Sequence, residues 1–85
     1  MKRVVEMKDV ASVLDSLAEI EYKLALESDR DLFEVQLEIN ERIMFLYLIG
    51  LVSGQEREKM FRWSEEVCKK NLAKKEEKEL LDVGF

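Results

Sequence analysis

The sequence predicts an all-α fold, a small three-helix bundle that dimerises through its central helix. Three observations carry this. Apolar residues recur at intervals of three and four over most of the chain, the period of a helix with one buried side. Glu, Lys, Leu and Arg, all good helix formers, are abundant, and proline is absent. From Ile43 to Val52 every residue except Gly50 is apolar. A bilayer span needs roughly 20 apolar residues. This run is too short for one, so its burial must come from protein.

Residues 1–8 fit the start of a helix, a short strand or a packed arm, with Val4, Val5 and Met7 as their apolar members. Asp9 is a candidate N-cap for a first helix over about 9–28. Along it Val10, Val13, Leu17, Ile20 and Leu24 step by 3, 4, 3, 4, a coiled-coil-like seam widened by Leu14, Ala18 and Ala25. Two heptads are too few for a free coiled coil, so this segment reads as one helix of a bundle.

Ser28, Asp29 or Asp31 can cap a second helix over about 31–51. At about 100° per residue, Leu32, Val35, Ile39, Ile43 and Leu46 gather on one side. Phe33, Leu37, Met44, Leu48 and Leu51 form a second arc beside them. Glu34, Glu38, Glu41 and Arg42 occupy most of the remainder, and Phe45, Ile49 and Val52 interrupt this polar side near the end. The first half is therefore amphipathic and the second half apolar nearly all round, which calls for burial on every side. A strand hairpin competes. Phe33, Val35, Leu37 and Ile39 alternate with Glu34, Gln36, Glu38 and Asn40, and Asn40-Glu41 would have to turn. That pair is a poor hairpin turn beside Asn-Gly, and no Gly or Pro breaks 31–49, so the helix is preferred.

Gly50 lies where glycine serves as a C-cap, and Ser53 with Glu56 makes the S-x-x-E capping box of a third helix over about 54–75. The short junction predicts antiparallel packing of helices two and three. On the third helix Met60, Phe61, Trp63, Val67, Cys68 and Leu72 share a broad arc with Ser64 and Asn71. Glu58–Arg62, Glu65–Lys69 and Glu66–Lys70 are spaced as i,i+4 ion pairs opposite. The run from Ala73 to Glu79 has no apolar face, so the helix either continues into solvent or frays. Residues 76–85 form an apolar-ended tail in which Leu80, Leu81, Val83 and Phe85 are expected to dock on the chain or on a sister copy.

Eighty-five residues make one domain of modest core, which needs help to be stable alone. A single cysteine rules out an internal disulfide, and with no histidine a structural zinc site has no ligand set. Self-association is the remaining common route to further burial. Acids interrupt what would be the apolar region of a signal peptide in MKRVVEMKDVAS, so a reduced, cytoplasmic setting is expected, with no membrane contact. The excess of Glu and Lys resembles thermophile usage.

Catalysis by a nucleophile and a histidine is excluded in this chain. Cys68, on an apolar arc, reads as a buried structural thiol. No glycine-rich phosphate loop exists among Gly50, Gly54 and Gly84. Glu38 and Glu41 form an E-x-x-E pair on one helical turn that could hold magnesium. This resembles the first half of the pattern in all-α nucleotide pyrophosphohydrolases of the MazG type, which would imply a metal-dependent nucleotide hydrolase. That family follows the pair with E-x-x-D on a later helix. Here the later helix offers Glu58, Glu65 and Glu66 with no aspartate at the spacing, so the resemblance covers one short motif and stops there. Small three-helix chorismate mutases are similar in length, but they need converging basic residues, and only Arg42 and Arg62 lie well inside helices.

Residues 1–56 carry six basic and twelve acidic side chains, whereas 57–75 carry seven basic and three acidic. Helix three is thus locally basic, and Arg57, Lys59, Arg62, Lys69, Lys70 and Lys74 are the candidates for an alternative nucleic-acid-associated role. Its QEREK start lacks the basic, base-reading first turn of a recognition helix, so nucleic acid is not the expected partner. The expected function is a non-catalytic helical interaction module: an adaptor, accessory subunit or small regulator that self-associates and needs no cofactor. Its contact residues are expected to be Ile43, Phe45, Leu48, Ile49, Val52, Leu80, Leu81 and Phe85.

Overall fold

A computed structural model describes residues 7–82. They form three helices and, among the described residues, no strand: α1 Met7–Ser28, α2 Leu32–Leu48 and α3 Gly54–Asp82. The alternating pattern over 33–40 therefore belongs to a helix, as residue preference favoured. The expected positions of Val4, Val5, Val83 and Phe85 lie outside the described residues. α2 is the shared middle element, with α1 on one flank and α3 on the other.

The helix ends follow from local chemistry. Asp9 sits inside the first turn of α1 rather than ahead of it, where its charge favours the positive end of the helix dipole. α1 closes with Asp29 at φ 59°, and the Arg30 N–H donates to the Ala25 carbonyl at 2.9 Å. This is a Schellman closure with aspartate in the left-handed position that glycine usually fills. Asp31 caps α2 by accepting from the Phe33 N–H at 2.9 Å. At the far end Gly50, at φ 82°, donates to Tyr47 O, and Leu51 donates to Leu46 O. The expected glycine cap is thus present, although α2 stops at Leu48 rather than 51. The capping box is reciprocal: the Glu56 N–H donates to Ser53 Oγ at 3.1 Å, and the Ser53 N–H donates to Glu56 Oε1 at 2.7 Å.

The core is built from Leu14, Ala18, Tyr22 and Ala25 of α1, Leu32, Val35, Ile39 and Ile43 of α2, Val52, and Met60, Ser64 and Cys68 of α3. On α2 this is the first of the two arcs in the sequence pattern. On α1 it corrects the expectation. The 3–4 seam does not face the bundle, since Val13, Leu17, Ile20 and Leu24 are all exposed. The buried side is turned by roughly a third of a revolution, at 100° per residue, onto the smaller residues. Ala18 and Ala25 explain the choice: their short side chains let α1 come close, and the space beside them is filled by Tyr22, which is 1% exposed. Burial pushes the Tyr22 phenol above its ordinary pKa, and the neighbouring Cys68 thiol adds to the effect.

α3 runs on as one continuous helix to Asp82 instead of ending near 75. Its 29 residues span about 43 Å at a rise of 1.5 Å each, while the 17 of α2 span about 25 Å. The molecule is correspondingly long, with extents of 60 × 18 × 15 Å and a radius of gyration of 15.1 Å. A compact chain of this length would have about 12 Å. The expected docking of the tail on its own chain does not occur at Leu80 and Leu81, which are both well exposed.

Candidate interaction surface

α2 carries a second apolar face, and nothing in the described chain covers it. Phe33, Leu37, Met44 and Leu48 fall within one narrow arc on the side away from the core, and Leu48 is 73% exposed. Phe45 and Ile49 are also exposed, on a different side of the last two turns. Leu37, Met44, Phe45 and Leu48, together with Phe61 of α3, border a shallow groove of about 620 Å³. Across the α1–α2 groove lies the outward-turned α1 stripe of Val13, Leu17, Ile20 and Leu24.

The size of this surface is informative. The four residues of the outer arc offer on the order of 400 Å² of apolar surface, the size of the largest patch on a typical monomer. Phe45, Ile49 and the α1 stripe expose further apolar surface on other sides of the two helices, with Glu38, Glu41 and Arg42 in the groove between.

Of the eight residues expected to make contacts, the structure brings only some to the surface. Ile43 and Val52 are corrections: both are buried, at 0% and 4% exposure, because they face α1 and α3 rather than solvent. Phe45, Leu48 and Ile49 are exposed as expected. Leu80 and Leu81 are exposed too, but they are not brought near the others. α3 antiparallel to α2 starts beside Leu48, so its residue 80 lies about 40 Å away along the helix. Phe85 lies outside the described residues. Phe33, Leu37 and Met44, and the whole α1 stripe, were absent from the expected contact set. The signal for the former was the second arc itself, visible in the sequence beside the core arc.

The charged groups are arranged to hold the helices together. Arg30 bonds Glu38 and reaches Glu34 at 3.4 Å, while Arg42 on α2 bonds Glu21 on α1. The Arg30 guanidinium holds the Glu38 carboxyl below the usual carboxylate range. One carboxylate of the E-x-x-E pair is thus occupied by an arginine and the other, Glu41, is exposed. Among the described residues no group of three or more acidic or cysteine side chains gathers around a point that could hold a metal. Arg42 and Arg62 do not converge either: Arg42 faces α1, and Arg62 lies in solvent beside Glu58 at 3.9 Å.

The basic residues of α3 are similarly dispersed. Arg57 stacks on the Tyr47 ring, 4.2 Å from its centroid. Lys69 takes both Glu65 and Glu66, so Glu66 pairs with Lys69 in place of the Lys70 expected from the spacing. Lys70 and Lys74 line a groove whose opposite wall carries Asp15, Glu19 and Glu27 of α1. Lys59 borders a separate groove with Trp63.

Fold and surface together define a small all-α bundle with a large uncovered apolar face. No protein-family model, curated protein or solved structure matches the chain. Among the described residues no helix is long and apolar enough to cross a membrane.

Proposed function

We propose that this chain is a non-catalytic helical interaction module, an adaptor, accessory subunit or small regulator that works through helix–helix contacts and self-association. The observation that carries the reading is the uncovered outer arc of α2, Phe33, Leu37, Met44 and Leu48, with Phe45 and Ile49 exposed on another side of its last turns. Each such side chain left in water forgoes part of about 1.5–3 kcal/mol. A domain of this size has only about 5–15 kcal/mol of stability in all. The engagement of Arg30, Arg42, Arg57 and Lys69 by groups of the same chain supports a role through shape and apolar contact.

The test is the solution mass by light scattering over a wide range of concentrations, for the wild type and for Leu48→Glu. The expected result is a mass above 10.0 kDa for the wild type and its return to 10.0 kDa in the variant. Leu48 is exposed, so the variant should keep its helicity. A substitution that alters neither the mass nor the binding of any partner protein would overturn the reading.

A further inference from the structure

We draw no further inference here: the strongest candidate, the apolar groove between the N-terminal halves of α1 and α3 lined by Ala11, Leu14, Met60 and Trp63, carries none because nothing in the structure shows what covers it.

Discussion

At the scale of single residues, neighbours in sequence have opposite roles, and substitutions should reveal it. Ile43 is fully buried and Leu48 is mostly exposed, though both belong to one apolar run. Ile43→Ala should cost about 2–4 kcal/mol in denaturant unfolding, from lost transfer energy and the cavity left behind. Leu48→Ala should leave the stability of the isolated chain within about 0.5 kcal/mol. Ser64 is fully buried with no partner for its hydroxyl. Ser64→Ala removes that unsatisfied group at almost unchanged volume and should be neutral or stabilising by about 1 kcal/mol, read as a raised unfolding midpoint. Asp29 holds the left-handed closure of α1, a conformation that costs a side-chain-bearing residue about 1 kcal/mol relative to glycine. Asp29→Gly should therefore raise the melting temperature by a few degrees, the outcome its exposed 3.9 Å pairing with Lys75 is too weak to reverse.

At the scale of elements, what the sequence revealed differs from helix to helix. The caps between α2 and α3 were legible, because Ser53–Glu56 and Gly50 act through neighbours a few residues away, whereas Asp9, expected to cap α1, lies inside its first turn. The inner arc of α2 was legible too, since Leu32, Val35, Ile39 and Ile43 keep strict helical spacing. The rotation of α1 was not. Both of its sides are apolar, and a 3–4 pattern says only that a stripe exists, not which of two stripes the rest of the chain will cover. The deciding factor was closeness of approach, set by Ala18 and Ala25, which depends on what α2 and α3 present. Ala18→Leu should thus overpack the α1 contact and cost about 1–3 kcal/mol, while Leu17→Ala, one residue away, should barely move the midpoint of unfolding. The end of α3 was read only partly. A polar stretch from Ala73 to Glu79 allows fraying or projection, and the observed continuation is a projection anchored by Lys78 Nζ, which donates to Leu26 O at 3.0 Å.

At the scale of the whole molecule, charge couples the helices and makes stability depend on acidity. Glu38 has its carboxyl pKa lowered below the ordinary 4.5 by Arg30. Its contribution is fully present above that ordinary value and is lost as pH falls through the lower, folded value. The unfolding midpoint should therefore fall on acidification below about pH 4.5, and Glu38→Gln should flatten that decline. The candidate surface was half legible at this scale, since surplus apolar area shows in the composition of α2, while its separation from Leu80 and Leu81 requires the antiparallel topology. The same topology gives the single thiol a further use. Cys68 lies 2% exposed where α3 meets Leu32 and Tyr22, so a thiol reagent reaches it only when the helices part. Its labelling rate, divided by that of an unfolded peptide, measures the free energy of that opening in the unmodified protein. Slower labelling at higher protein concentration would show that assembly guards the opening, so one native atom serves as a clock for both folding and association.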